Sequence, residues 1–222
     1  MKKQLLGAAT AALLVGAIPN AQALATLGFQ LDGTFTTYCA DQTTCDDNPI
    51  LGAVSYNDTI GGVVIHVTTG FTKPIVNRDP LIDLNSISVV AQGAHELRIA
   101  FSETDFTAQG LFSGAFGGTL NGADATVSAQ AFYDAGNSLF TAGAAMELLG
   151  PFSGPSFDGT FLDGAAPSGP YSVSLLLVLN TSASQDTTFS GDFAVNVPEP
   201  TTLALLGLGL LAFGFGWRRR PV

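Results

Sequence analysis

Few side chains in this sequence could do acid–base chemistry at neutral pH. Its two histidines are His66 and His95, and imidazole is the side chain that titrates nearest neutrality. His66 lies inside a run of β-branched residues and His95 opens another alternating run, where a single histidine usually packs or is solvated. The sequence has no Gly-x-Ser-x-Gly motif of a serine hydrolase. We therefore expect no catalytic histidine. The sequence leaves open a His-Asp-Ser group that is assembled from distant residues by the fold.

Paired carboxylates are the other candidate chemistry, because glycoside cleavage needs an acid and a base or nucleophile on either side of the bond. The body of the chain has many acids and none stands out by spacing: Glu96, Glu103, Asp105, Glu147, Asp158 and Asp163. Asp46-Asp47 and Asp158 with Asp163 could hold Ca²⁺, but neither matches an EF-hand or a glycine-rich calcium repeat. We expect turn-forming aspartates, no metal site and no cofactor.

Cys39 and Cys45 are the two cysteines of the sequence. In an exported protein they should pair and close a short loop. A metal or redox pair is the alternative, but no histidine lies nearby and the spacing is not Cys-x-x-Cys. The spacing predicts a structural disulfide.

The net charge of the chain restricts the classes of molecule that it can bind. Residues 24–197 contain 17 acidic and three basic residues, a formal net charge of −14. Such a charge excludes nucleic acid and anionic lipid as partners of this segment. It suits solubility outside the cell, and it is compatible with association with divalent cations or with neutral sugars.

The elements that must position these residues are strands. Alternation with a period of two marks "GVVIHVTT", "HELRIAFS" and "TFSGDFAVNV", while "YSVSLLLVLN" becomes continuously apolar, as a central strand does. Turn signals separate the runs, among them Asn57-Asp58, Gly61-Gly62, Gly117-Gly118, Asn121-Gly122, Asp158-Gly159 and Asp163-Gly164. Only residues 141–149 have the composition of a helical turn. The pattern predicts an all-β domain over residues 26–197, an antiparallel β-sandwich of about eight to ten strands.

The N-terminus is typical of a secretory signal peptide. Lys2 and Lys3 precede an apolar stretch over residues 5–18, and the small-residue run Ala21-Gln22-Ala23 follows a helix-breaking proline. The stretch is short for a membrane span. We predict a signal peptide over residues 1–25.

The C-terminus combines three features. Residues 201–217 carry no charge and are about as long as the shortest bilayer spans. Trp217 lies where an interfacial aromatic would sit, and Arg218, Arg219 and Arg220 follow, as in a flank that stays cytoplasmic. Before the span, two prolines keep residues 197–200 extended. The pattern predicts an exported body held by a transmembrane helix.

Pro198-Glu199-Pro200, the apolar helix and the arginine cluster together resemble the PEP-CTERM sorting signal of Gram-negative bacteria. The resemblance covers residues 198–222. It implies that exosortase, a membrane-embedded sorting enzyme, recognises Pro198, Glu199 and Pro200 and removes the tail. Proteins with this signal are associated with exopolysaccharide, biofilm and floc matrix.

These observations favour a non-enzymatic protein of the cell envelope or extracellular matrix. It would be anchored at the inner membrane as a precursor and would have exosortase and an exopolysaccharide as partners. Two alternatives stay open. The chain could be a secreted carbohydrate-active enzyme with paired carboxylates, or a permanently membrane-anchored periplasmic domain. Facing carboxyls across a groove would favour the enzyme, and an exposed aromatic strip without such a pair would favour the matrix protein.

Overall fold

A computed structural model describes residues 24–74 and 81–197. In this part of the chain all regular structure is β: β1 Thr26–Leu31, β2 Thr34–Ala40, β3 Ala53–Ile60, β4 Val63–Phe71, β5 Leu81–Ala91, β6 Glu96–Phe106, β7 Leu111–Asn121, β8 Thr126–Asp134, β9 Ala144–Phe152, β10 Phe157–Ala165, β11 Tyr171–Asn180 and β12 Thr187–Asn196. The predicted all-β class is confirmed. The described residues form twelve strands, more than the eight to ten expected.

The strands form two antiparallel sheets of six strands each. The front sheet has the order β2-β1-β6-β11-β8-β9 and the back sheet the order β10-β7-β12-β5-β4-β3. The two sheets pack face to face around one apolar core, so the predicted antiparallel sandwich is confirmed.

The core is built from the residues that the alternation assigned to one face. Val63, Ile65 and Val67 of β4 are buried, while His66 between them is exposed. Strand β11, the continuously apolar run, lies between β6 and β8 in the middle of the front sheet. Each fully buried Leu, Val or Phe side chain contributes about 1.5–3 kcal/mol relative to exposure.

Several glycine and aspartate pairs predicted to form turns lie inside strands instead: Asn57-Asp58, Gly117-Gly118, Asp158-Gly159 and Asp163-Gly164. At Gly159, for example, a Cβ would stand only 3.0 Å from the ring of Phe152, and other strand glycines are crowded in the same way. A Cβ on Gly114 of β7 would collide with the ring of Phe161, its cross-strand partner in β10. A Cβ on Gly70 of β4 would collide with Phe101 in the facing sheet. Glycine at these positions leaves room for phenylalanine rings, so a glycine inside a strand here does not mark a turn.

The prediction of a helical turn over residues 141–149 was wrong, because most of that segment belongs to β9. Strand β9 pairs with β8 at the edge of the front sheet and buries Met146 and Leu149. Tertiary pairing has overridden the local propensity of an alanine-rich segment.

The predicted disulfide is present. Cys39, buried in β2, is bonded to Cys45 in the following loop, with Cα atoms 5.6 Å apart. It closes the loop directly after the edge strand of the front sheet.

Candidate functional site

The residues predicted to direct sorting and membrane insertion lie outside the described residues: Pro198, Glu199, Pro200, Trp217, Arg218, Arg219 and Arg220. The predicted signal peptide does so too, apart from its last residues. Over residues 24–74 and 81–197 no helix is long and apolar enough to cross a membrane.

The two histidines lie far apart in the fold. His66 is exposed on the outer face of the back sheet. His95 lies at the start of β6, where its Nδ1 is 2.8 Å from Asp32 Oδ2 in the β1–β2 turn. Asp32 also accepts the N–H of Glu96, and these two hydrogen bonds, that from His95 first, lower the pKa of Asp32. Within the described ranges no serine hydroxyl is hydrogen-bonded to the imidazole, and no group of three potential ligands is placed to hold a metal.

The two glutamates of β6 do not form a catalytic pair. Seven residues along one strand separate Glu96 and Glu103 by about 20 Å, whereas paired glycosidase carboxyls lie about 5–10 Å apart. Glu103 is buried, accepts a hydrogen bond from Thr72 and has Lys73 Nζ 3.8 Å from its Oε1. Its environment is that of a buried structural ion pair.

The aspartates beside the disulfide organise backbone. Asp46 accepts the N–H groups of Gln42, Asn48 and Ser55, and the buried Asp41 accepts that of Gly52. These carboxylates hold the loop between β2 and β3 in shape, as turn-forming aspartates do.

One carboxylate pair was not singled out by the sequence. Asp83 of β5 and Asp192 of β12 lie on the outer face of the back sheet, beside a bulge at which the Ser86 N–H donates to Asp192. Burial raises the pKa of Asp83 to about 6, and the negative charge of Asp192 adds to the shift. The pair lies on strands distant in sequence, so no local motif could reveal it.

A candidate binding feature lies on the outer face of the front sheet. It is a groove of about 220 Å³, which we call the aromatic groove, lined by Gly28, Phe29, Gln30, Phe35, Tyr38, Arg98, Ala100, Phe140 and Leu176. Phe35 and Tyr38 of β2 are 49% and 54% exposed. Exposed aromatic side chains grouped on one face of a domain are a candidate binding site.

The three outward rings form one continuous surface. The ring centroids of Phe35 and Tyr38 are 4.3 Å apart, and those of Tyr38 and Phe140 are 5.0 Å apart with nearly parallel planes. The β1–β2 register is shifted between Phe29 and Gln30, which places Phe35 opposite Gln30 and Tyr38 opposite Gly28. The bulge brings both rings of β2 to the same face.

Small side chains form the floor of the aromatic groove. Gly28 of β1 and Ala100 of β6 are cross-strand neighbours, and Leu176 of β11 follows in the same row. A Cβ on Gly28 would stand 3.1 Å from the ring of Tyr38 and 3.4 Å from that of Phe140. The missing side chain therefore lets the two rings lie over the sheet.

Polar groups border the aromatic groove. The Gln30 amide donates to the Gly33 carbonyl at 2.9 Å, and Arg98 Nε donates to Glu96 at 2.8 Å. Gln30 keeps its amide oxygen, and Arg98 keeps further guanidinium donors, for a ligand. Aromatic rings with a few polar groups at the edge of the groove suit a ligand that has one apolar face and hydrogen-bonding edges.

Sequence reasoning identified none of the residues lining the aromatic groove. The alternation in residues 95–102 predicted the outward position of Arg98, but it could not predict the bulge that turns Phe35 outward or the loop that carries Phe140. Aromatic residues are abundant in the chain, 16 of them phenylalanine, so composition could not separate surface rings from core rings.

Residues 196–220 match the family model of the PEP-CTERM protein-sorting motif. No curated protein sequence matches the chain. Among solved structures, TmCBM61 in complex with β-1,4-galactotriose has 10% identity and a TM-score of 0.39, with 70% of this chain and 92% of that chain covered. The adhesin domain of Epf from Streptococcus pyogenes has 13% identity and a TM-score of 0.41, with 77% of this chain and 57% of that chain covered. Likenesses of this size identify no function for the chain.

Proposed function

We propose that this chain is a non-enzymatic polysaccharide-binding protein of the cell envelope or extracellular matrix. The PEP-CTERM sorting motif at residues 196–220 marks it for export and for sorting by exosortase. The observation that carries the proposal is the aromatic groove.

The chemistry of the aromatic groove suits a sugar. A pyranose ring presents C–H groups on one face and hydroxyls around its edge. The C–H face packs on aromatic rings through weak C–H contacts and apolar burial. Phe35, Tyr38 and Phe140 supply the rings, while Gln30 and Arg98 can meet the hydroxyls. The volume of about 220 Å³ is below the roughly 300–1,000 Å³ of small-molecule pockets, which favours contact with one side of a polymer.

Charge favours a neutral polysaccharide. Residues 24–197 carry a formal net charge of −14, which repels polyanions such as uronate polymers. The one arginine bordering the aromatic groove is paired with Glu96. The groove itself therefore offers little net positive charge to an acidic chain.

The aromatic groove is not lined by a carboxyl or imidazole group. Glycoside hydrolysis needs an acid and a second carboxylate beside the bond. The Asp83 and Asp192 pair lies on the opposite outer face, away from the rings. These placements support binding without turnover.

Sorting precedes binding in this proposal. Residues 201–217 hold the precursor at the inner membrane, with Arg218, Arg219 and Arg220 on the cytoplasmic side. Exosortase recognises Pro198, Glu199 and Pro200 and removes the tail, and the domain then resides in the envelope or matrix.

Binding is tested with the full chain in mild detergent, by affinity electrophoresis and calorimetry against a neutral β-glucan, a neutral galactan, alginate and the exopolysaccharide of the producing cells. We expect binding to at least one neutral polymer and weaker binding to alginate. Tyr38→Ala should weaken binding at least about tenfold, since a buried aromatic contact contributes about 1.5 kcal/mol or more.

His66→Ala is the matched control, because His66 is an exposed ring on the opposite face. It should bind like the unaltered chain. Absence of binding to every polymer, or equal binding by Tyr38→Ala, would overturn the proposal. Release of oligosaccharides from a bound polymer would establish the enzyme alternative instead.

Sorting is tested by the intact mass of the native protein from cells with and without exosortase. We expect a chain that begins at Leu24 or Thr26 and ends near Pro200, and we expect it only in the cells that contain exosortase. A mass that retains Arg218–Val222 in both strains would establish a permanently anchored domain.

A further inference from the structure

We propose that Ser102 and Asn137 are positioning residues that hold the loop of residues 135–143 on the front sheet and so place Phe140 in the aromatic groove. The inference rests on the proposed function for its ligand, but the placement of Phe140 can be tested without any ligand.

Phe140 is the one ring of the aromatic groove that does not come from a strand. It lies between β8 and β9 and has a φ of 53°. A bulky L-residue adopts this left-handed conformation rarely, and then only where its surroundings hold it. The contacts around Phe140 must therefore overcome an unfavourable backbone.

A buried hydroxyl pair supplies the first of these contacts. The N–H of Phe140 donates to Ser102 Oγ at 3.1 Å, and Ser102 Oγ lies 2.7 Å from Ser174 Oγ. Both serines are buried side by side on β6 and β11. Ordinarily the outer face of a sheet leaves such hydroxyls in water, so their burial shows that the loop covers them.

Two further contacts hold the same loop. Ser172 Oγ donates to the Ser138 carbonyl at 2.7 Å. Asn137 exchanges hydrogen bonds with Asp105: its Oδ1 accepts the N–H of Asp105 at 2.8 Å and its amide donates to the Asp105 carboxylate at 2.6 Å. The loop is thereby attached to β6 and β11 immediately before Phe140.

The consequence for the aromatic groove is geometric. Tyr38 packs on Phe140, with ring centroids 5.0 Å apart, and is itself more than half exposed. Without Phe140 in place, Tyr38 loses one packing partner, and its side chain is freer to rotate. Ser102 and Asn137 act on the ligand through Phe140, without touching it.

The test in the free protein is nuclear magnetic resonance of the full chain with labelled tyrosine. Stacking on Phe140 shifts the ring resonances of Tyr38. Ser102→Ala and Asn137→Ala should move these resonances in the direction seen in Phe140→Ala. Thr187→Val is the matched control, since it also deletes a buried hydroxyl that accepts a backbone N–H, that of Ser182. It should leave Tyr38 unchanged.

The test with ligand is a double-mutant cycle on the affinity for a neutral polysaccharide. Ser102→Ala should weaken binding by about fivefold, and Asn137→Ala by about threefold. Ser102→Ala should have no further effect in the Phe140→Ala background. Thr187→Val should lower thermal stability without changing affinity.

Unchanged Tyr38 resonances in Ser102→Ala and Asn137→Ala would overturn the inference, as would additive losses of affinity in the cycle. If the resonances move but no polysaccharide binds, the positioning role stands and the proposed function fails. Asn137 is only partly buried, so its variant keeps the test valid if Ser102→Ala does not fold.

Discussion

The outer faces of the two sheets differ in one respect, the grouping of exposed aromatic rings on the front sheet, although the inner faces are built alike. On the front sheet, aromatic and aliphatic side chains point outward: Phe35, Tyr38, Phe140, Leu148 and Leu176. On the back sheet, the outer face mixes polar and acidic side chains with exposed aliphatic ones: Asn57, His66, Asp83, Asp158 and Asp192 beside Val90, Leu111 and Leu162.

The inward and outward side chains of the sheets have different roles. Burial of inward residues accounts for the fold on both sheets, and outward residues are free to vary without cost to the core. The paired carboxylates Asp83 and Asp192 lie on the outer face of the back sheet, while the front sheet leaves the rings of Phe35 and Tyr38 about half exposed to water. This difference supports the proposal that a ligand binds to the front sheet.

The largest effect should come from the disulfide, which staples the edge strand of the front sheet and has no counterpart in the back sheet. Replacing Cys39 and Cys45 together by alanine should lower the free energy of unfolding by about 2–3 kcal/mol on the chain-entropy model. Urea unfolding with and without reductant measures this, and reductant should not affect the variant. An equal stability of both proteins would contradict the prediction.

Filling the floor of the aromatic groove should come next. In Gly28→Val, the new side chain would displace Tyr38 and Phe140, whose rings lie 3.1–3.4 Å from the position of a Cβ. Affinity for a neutral polysaccharide should fall at least about tenfold, or about 1.4 kcal/mol.

Gly117→Ala is the control on the outer face of the back sheet, where a Cβ would meet its nearest neighbours at ordinary contact distances, from 3.4 Å. It should bind normally in the same calorimetric measurement. A loss of affinity in both variants would remove the distinction between the faces.

Charge repulsion on the back sheet should give a smaller, pH-dependent effect. Because the folded-state pKa of Asp83 is about 6 against an ordinary 3.8, the stability contributed by its protonated form is fully present below pH 3.8 and is lost as pH rises through about 6. Asp83→Asn should raise the free energy of unfolding at about pH 7.5 by roughly 1 kcal/mol, a value reduced for solvent screening.

The same variant should have no effect at about pH 3.5, and its affinity for polysaccharide should be unchanged at either pH. Unfolding curves at the two pH values check the first point. A stabilisation that persisted at the lower pH would show that the gain is not electrostatic.

The smallest effect should come from Asp32, whose pKa is lowered by the hydrogen bonds from His95 and Glu96. Its stabilisation is present above pH 3.8 and is lost as pH falls through the lowered value. Asp32→Asn should therefore show a slightly smaller loss of thermal stability on acidification from about pH 5 to about pH 2.5. The carboxylate is exposed, so a large change in the melting temperature would be inconsistent with a screened surface pair.

Most of the fold could be predicted from the sequence. Alternation in β4, β6 and β12 identified their buried faces, and continuous apolarity identified β11 as a central strand. The strand boundaries could not be predicted from turn signals, because pairs such as Gly117-Gly118 and Asp158-Gly159 lie inside strands and residues 144–152 form a strand without an alternating pattern. The aromatic groove could not be predicted either, since its residues come from four strands and one loop.

The sequence by itself determined the all-β class, the antiparallel sandwich, the disulfide and the sorting motif, because each depends on neighbouring residues or on a fixed spacing. Only the tertiary structure decided which rings face water. That choice depends on a bulge in β2, on a glycine in β1 and on serines of β6 and β11 that hold Phe140. Side chains brought together across strands leave no local pattern, and the chemistry of this surface arises only when the strands are paired.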